Sequence, residues 1–401
     1  MKRSVIIIGA GPAGLMLAAS LDNSKYDVTI VERNSTPGRK FLVAGDGGLN
    51  ITHSEERGLF IRRYSPSGFL ENAFFSFDNR MFTEWLLAIG VPTFAGTSGR
   101  VFPLKTLKPI DVLNAIVETV RSNGVHFLYR HTWKGFAGNG DLLFGYEGGD
   151  TELRADIRVF ALGGASWPVT GSAGDWLSFF SGRGITTKPF TASNCTMLVQ
   201  WPDEFIKSSE GSPLKNISVT CGEVCVKGEI VITGKGMEGS GVYPLSPVIR
   251  EALRLNGKAT VMIDLKPSFS HQQILERLHK NAGKAVTDLL RRSLNLSVVQ
   301  VKLLKVYTTR EQFSDPVALS ALIKSLPLTI TGLGPFEDAI STVGGISLDE
   351  IGEDFMLRKM QGHFAIGEML DYDAPTGGYL LQSCFSMGYY LAKRLNEAAI
   401  P

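Results

Sequence analysis

The sequence predicts an α/β fold: a Rossmann-like domain built on a parallel sheet, interrupted by a β-barrel-like insertion with a small helical subdomain. Three observations predict it. Residues 5–14 read strand, Gly-x-Gly-x-x-Gly, helix. Apolar strands and amphipathic helices alternate through the first part of the chain. After about Pro189 the texture changes to β-like runs with glycine-rich connections and then to helices, and residues 340–401 return to strands and glycine turns.

Residues 4–9 are apolar almost throughout, as a strand covered on both faces must be. Residues 12–24 read as a helix with Leu15, Leu17, Ala18, Ala19 and Leu21 available for its packed face, and residues 27–32 as a second strand. Residues 82–87 and 109–123 read as helices; in the second, Ile110, Leu113, Ile116, Val117 and Val120 recur at helical spacing. A strand at 125–130, a hairpin of 142–146 with 152–154, and an apolar strand at 158–162 follow, the last running into Gly163-Gly164. In the middle, residues 216–223, 224–233 and 259–265 are β-like, and 268–294 and 297–307 are helical. Asp315-Pro316 is a good N-cap and first-turn pair, opening a helix that stops by Pro327. An amphipathic helix over 383–398 closes the chain. The expected division is residues 1–189 with 340–401, residues 190–267 with 327–339, and the helical residues 268–326.

The 401 residues are 44% hydrophobic and 20% charged, an ordinary globular composition. The net charge of +2, with signs mixed, excludes a strong overall basic field, so no nucleic-acid partner is expected. Arg62-Arg63 and Arg291-Arg292 read as solvated surface. The apolar run at 5–8 is too short for a signal peptide and no stretch approaches a membrane span, so the expectation is a cytoplasmic protein without a membrane partner. Cys221 and Cys225 have neither a second pair nor a nearby histidine to complete a metal site, so no metal is expected. With Cys195 and Cys384 they read as reduced, buried thiols.

The first motif carries the strongest chemistry. Gly9 permits a tight turn, Gly11 lets a pyrophosphate approach the backbone, and Gly14 allows close contact between helix and strand. The helix start then presents free N–H groups and a favourable dipole to phosphate. Glu32 ends the second strand, 18 residues after Gly14, where an acid takes the hydroxyls of an adenosine ribose. The motif alone does not choose between NAD and FAD. The stretch that follows, with Gly38, Arg39, Lys40, Gly45, Gly47 and Gly48, suits a loop folding back along a longer dinucleotide, its glycines close to a flat ring.

These residues resemble a family of bacterial FAD proteins called BaiN-like or YhiN-like. The resemblance rests on the 9–14 motif, Glu32-Arg33, residues 38–45, the second glycine motif at 159–175 and the glycine-rich stretch at 367–382, in that order over nearly the whole chain. It implies FAD as cofactor and a role for each matching residue. Gly9, Gly11, Pro12, Ala13 and Gly14 would hold the pyrophosphate, and Glu32 with Arg33 the ribose corner. Gly38, Arg39, Lys40, Gly45, Gly47, Gly48 and Asn50 would line the phosphates and the flavin. Trp133 falls where backbone meets the adenine, and Ala161, Gly163 and Gly164 would pack on the adenosine side. Gly367 and Glu368 would hold the ribityl chain, and Gly377, Gly378, Tyr379 and Leu381 would approach the pyrimidine end. One departure stands out. Many members carry Gly-Arg-Cys-Asn where this chain has Gly47-Gly48-Leu49-Asn50. The missing cysteine argues against disulfide chemistry beside the flavin, and the missing arginine removes a cation.

The resemblance implies an FAD-dependent oxidoreductase passing a hydride between flavin N5 and a small organic substrate, in a cleft beside the insertion. The leading version is an NAD(P)H-linked reductase of an activated C=C bond. The alternatives are an oxygen-using amine oxidase, as in aminoacetone-oxidase-like relatives, a non-catalytic flavin sensor or binding protein, and an RNA-modifying flavoprotein that uses the insertion to hold nucleic acid, against which the balanced charge argues. Residues 328–334 look like a second strand and glycine turn, but Glu337 stands where the third glycine belongs, so NAD(P)H would visit only transiently. No acid–base constellation is evident. Tyr379 and His53 are the candidate catalytic side chains, His363 reads as a turn residue before a strand, and Asp371 and Asp373 as loop residues. Oligomeric state is not legible.

Overall fold

The computed structural model describes residues 1–43, 48–280 and 285–398. The chain divides into two compact units, Met1–Thr191 with Ile340–Pro401, and Ala192–Ala339, and each has its own apolar core.

The first unit is organised by strand β1 (Arg3–Ile8), helix α1 (Pro12–Ser20) and strand β2 (Tyr26–Glu32). The helix is shorter than its sequence pattern, because the backbone turns extended at Leu21. The parallel sheet runs in the order 363–365, 157–160, β1, β2, 126–129. Ile8 is in register with both Phe160 and Val31, and Phe160 with Ala365, so the chain leaves these strands at one common edge. That edge is where the carboxyl ends of a parallel sheet build a binding crevice. The terminal helix starts at Tyr379, earlier than its apolar pattern, and packs on α1. Gly388 makes the approach possible, since a Cβ there would sit 2.5 Å from the Ala13 carbonyl oxygen.

Two antiparallel pieces flank the sheet: strands 132–136, 142–146 and 149–153, and a second set ordered 52–53, 100–103, 93–95. His363 is not a turn residue but the first residue of strand His363–Ala365, paired with Arg158 and buried. Arg62 and Arg63 are exposed, as expected, and the Arg63 guanidinium also pairs with Glu55.

The second unit is a seven-stranded antiparallel sheet with six helices between 246 and 324 among its described residues. Its two outermost strands, Leu326–Ile330 and Gly332–Leu333, are separated by Thr331 alone. Edges so close in the chain require the sheet to curl round on itself, as in a barrel. Residues 328–334 therefore pair with strands 259–264 and 197–198 and form no phosphate turn. Asp315 caps the helix Pro316–Lys324 through Val317 and Ala318 N–H groups, as its sequence indicates. Cys195, Cys221 and Cys384 are buried, whereas Cys225 is exposed where its hairpin strand faces solvent. Among the described residues no helix is long and apolar enough to cross a membrane, and no group of three His, Cys, Asp or Glu side chains could hold a metal ion.

Candidate functional site

The 9–14 turn lies at the carboxyl edge of the sheet. Gly9 has φ +108°, and a Cβ on it would lie 2.3 Å from the Ala161 carbonyl oxygen. A Cβ on Gly14 would lie 2.3 Å from the Gly9 carbonyl oxygen. Gly11 is different: it is extended, caps α1 without a side chain, and has nothing within 4 Å of the Cβ position. Two glycines are thus required by the protein's own packing, and the third keeps space open before the helix start. Pro12 supplies a first-turn residue with no N–H, and Ala13 leaves its N–H at an end where the helix offers no acceptor.

Glu32 ties this turn to the next loop. One carboxylate oxygen accepts from Ala10 N–H at 3.0 Å, the other from Asn34 N–H at 2.8 Å and the Asn34 side chain at 2.9 Å. The oxygen bonded to Ala10 N–H keeps a second lone pair for a ribose hydroxyl. Arg33 is exposed, and Arg39 reaches back to Asn34 at 3.0 Å. At Gly38 the protein's own packing fills the Cβ position, 2.6 Å from Leu113 of helix Pro109–Ser122, and its N–H donates to the Ala10 carbonyl. Gly45 and Gly47 lie outside the described residues. Gly48 has φ +119° and faces the Phe102 ring.

A second knot joins distant segments. Glu368 accepts from Gly164 N–H at 3.3 Å and Thr342 N–H at 3.2 Å, and Lys40 lies 3.9 Å from it while donating to the Gly164 carbonyl at 3.1 Å. A Cβ on Gly164 would collide with Thr342 and Glu368, and one on Gly367 would lie 3.2 Å from Ala13. Lys40, Gly164, Gly367 and Glu368 therefore meet beside the 9–14 turn, with Ala161 and Gly163 in the same loop. Ser166 Oγ, wholly buried, has no partner among the described residues. Burial pushes the Cys384 thiol near Gly367 up to about 12, so it stays protonated and unreactive.

The third part surrounds Gly377 and Gly378, both at positive φ, ahead of the 19-residue terminal helix. Gly378 lies against the Thr52 backbone, where a Cβ would approach to 2.5 Å. Asn50 donates to the Thr52 and Val101 carbonyls at 2.8 and 3.0 Å, which leaves its buried Oδ1 without a donor. Arg100, paired with His53 across the strands, is half-buried with no acceptor among the described residues, its Nε 3.8 Å from the Cβ position of Gly377. Tyr379 is buried; its hydroxyl donates to Glu55 at 2.8 Å and its ring stacks on His53. Burial, then Glu55, raises the Tyr379 hydroxyl above the usual tyrosine value. His53 Nδ1 accepts from Glu55 N–H, so Nε2 carries the proton and gives it to Ser98 O, both at 3.0 Å. Leu381 is half-buried one turn into the helix.

Trp133 is packed inward. Its ring touches Phe136, Phe160, Phe179 and Phe180, and its indole N–H is buried without an acceptor. Asp371 pairs with Lys188 at 2.5 Å, and the Asp373 backbone bridges to Ser65. Sequence reasoning missed Asn34, Glu55, Arg63, Arg100, Ser166 and Thr342. Only Asn34, two residues beyond Glu32, carried a local signal.

An open helix start, an acid at the ribose corner, and lone buried acceptors at Asn50 and Ser166 fit FAD. A family model described as HI0933-like protein Rossmann domain matches residues 3–394. The chain is 24% identical over 411 residues to the ribosomal RNA dihydrouridine synthase of Haemophilus influenzae, and 23% identical over 417 residues to the 3-dehydro-bile acid delta(4,6)-reductase of Clostridium scindens, covering 98% of both partners in each case. Among solved structures, the 3-ketosteroid-delta4-(5alpha)-dehydrogenase of Rhodococcus jostii RHA1 superimposes with a TM-score of 0.49 at 14% identity, over 98% of this chain and 96% of that one.

Proposed function

We propose, for a chain that belongs to the HI0933-like family of FAD-dependent oxidoreductases, that the reaction is reduction of a carbon–carbon double bond conjugated to a carbonyl, with NADH or NADPH as electron source. The two relatives support this through the chemistry in their names. A dihydrouridine synthase saturates a ring double bond of uridine, and a delta(4,6)-reductase saturates ring double bonds of a keto-steroid. The scaffolds differ and the bond type is shared. The acceptor is a small conjugated ring of that kind, free or within a larger molecule.

The observation that carries the reading is the single dinucleotide cradle. Residues 9–14 form the one strand–glycine turn–helix among the described residues, and residues 328–334 are antiparallel strands. With the cradle committed to FAD, NAD(P)H has no βαβ unit of its own among the described residues. It visits, is oxidised to NAD(P)⁺ and leaves before the acceptor enters.

When bound, FAD supplies a two-electron carrier that accepts and returns a hydride. The chain's residues bind and orient. Gly11 and the start of α1 hold pyrophosphate, Glu32 holds ribose, and Lys40 with Glu368 fixes the loop between. Asn50 Oδ1 and Arg100 offer an acceptor and a donor beside the Gly377 turn, matching an imide edge. Reduction adds hydride at the β carbon and a proton at the α carbon. His53 and Tyr379 have their protons engaged with Ser98 and Glu55, so water delivers that proton, and the two side chains support the turn.

The test is product analysis. The protein is reduced anaerobically and mixed with a cyclic enone, a dienone steroid and uridine. The reading requires at least one acceptor to gain two hydrogens while the flavin reoxidises. Reoxidation by oxygen alone, with every acceptor unchanged, contradicts it.

A further inference from the structure

The second unit contains a cavity of about 830 Å³ that the flavin chemistry leaves unused. Its walls come from strand Pro213–Cys221, the chain just after strand Ala259–Asp264, and helices Val286–Arg292 and Val298–Val306. Lys215, Lys266, Arg291, Arg292 and Lys302 line it, and Asp288 is the one acid among the lining residues. The chain's net charge of +2 conceals this local concentration.

Two of these cations are partly satisfied: Lys215 lies 3.6 Å from Glu229, and Lys302 donates to the Ser208 carbonyl at 3.2 Å. Arg291 and Arg292 have no carboxylate or carbonyl partner among the described residues. Both are exposed, as their sequence signature suggests, and they border an open concavity shared with the other cations. Helix Val298–Val306 begins in the same wall. Ser297 caps the Gln300 N–H at 3.3 Å, and the helix offers no acceptor to the N–H groups of Val298 and Val299, both of which line the cavity. Adjacent guanidinium forks, ammonium groups from other lining segments and a helix start favour phosphate oxygens over a single carboxylate.

We infer that this cavity is a phosphate-binding site for a ligand carrying two or more phosphates in series. A nucleotide polyphosphate and a phosphodiester chain share that chemistry. The inference does not depend on the reductase reading.

The experiment uses the full FAD-loaded chain. Binding of tripolyphosphate is followed by calorimetry, and binding of a short fluorescent oligouridylate by anisotropy. The comparison variants are Arg291→Glu with Arg292→Glu, the charge-removing pair Arg291→Gln with Arg292→Gln, and Arg62→Glu as a control for charge alone. Thermal unfolding checks each fold. Wild type should bind at least one probe saturably. The double Glu variant should bind about tenfold or more weakly, the double Gln variant should fall between, and Arg62→Glu should stay within about twofold. Tripolyphosphate binding alone identifies a nucleotide-sized ligand. Oligouridylate binding that weakens steeply with salt identifies a phosphodiester chain. Binding of neither probe, or equal weakening by Arg62→Glu, overturns the inference.

Discussion

The hydroxyl of Tyr379 donates a 2.8 Å hydrogen bond to Glu55, a residue 324 positions earlier in the chain. Glu55 also accepts from Arg63 Nε at 3.0 Å, and His53 stacks on the Tyr379 ring at 5.4 Å between centroids. Burial pulls the Glu55 carboxyl up, but Arg63 and Tyr379 outweigh it and hold it below the usual glutamate value. The cluster grips the first residue of the terminal helix, just beyond Gly377 and Gly378.

Tyr379→Phe keeps the ring and removes the hydroxyl. The loss should be about 1 kcal/mol, the net worth of one hydrogen bond, read from thermal or urea unfolding. FAD content should be unchanged. Turnover should fall by less than about tenfold, whereas a proton donor would contribute about 10²–10⁴.

Gly11→Ala and Gly14→Ala should separate cofactor contact from packing. The Gly14 methyl would meet the Gly9 carbonyl at 2.3 Å, and the variant should lose roughly 1–3 kcal/mol of stability even without FAD. The Gly11 methyl meets nothing within 4 Å, so the apoprotein should unfold within about 0.5 kcal/mol of wild type. Its FAD affinity should nevertheless drop, as measured by flavin released on dilution.

Arg100→Ala should retain FAD and lower its midpoint potential, because a nearby cation favours the reduced, more negative flavin. A tenfold loss of that preference is about 30 mV for a two-electron couple. Dye-equilibrated spectral titration reads it directly, and Arg100→Lys should recover part of the shift.

Glu350 sets an acid limit on stability. Lys359, at 2.7 Å, and then Thr186, at 2.6 Å and 3.0 Å, hold its carboxyl down to about 2, against burial pulling the other way. A depressed folded-state value stabilises the native chain fully above the ordinary 4.5, and that contribution is lost as pH falls toward 2. The contribution should be about 1–3 kcal/mol, nearer the lower figure because Lys359 is half exposed. Urea unfolding at pH 6 and pH 3 should show a smaller change for Glu350→Gln than for wild type.

The legible parts of this molecule are local. The 9–14 motif, Glu32 and the Asp315 cap declare themselves because a few adjacent residues satisfy one backbone geometry. Residues 38–50 were only partly legible, since glycine marks a space without saying what fills it. At Gly38 the filler is Leu113, at Gly48 the Phe102 ring. Arg100, Thr342 and the Glu55–Tyr379 pair gave no sequence signal, because their partners arrive from other strands and from the far end of the chain. Arg291 and Arg292 show the converse: the pair is exposed, as its sequence suggests, and only the fold brings Lys215 and Lys302 to the same concavity.

The most direct test of the central claim is anaerobic mixing of the FAD-loaded protein with NADH or NADPH, with the flavin absorbance followed in time. The account predicts rapid bleaching by at least one of them, and colour returning when a conjugated carbonyl acceptor is added. A flavin that stays oxidised with both nucleotides, yet is reduced by a small amine and reoxidised by air, would contradict it.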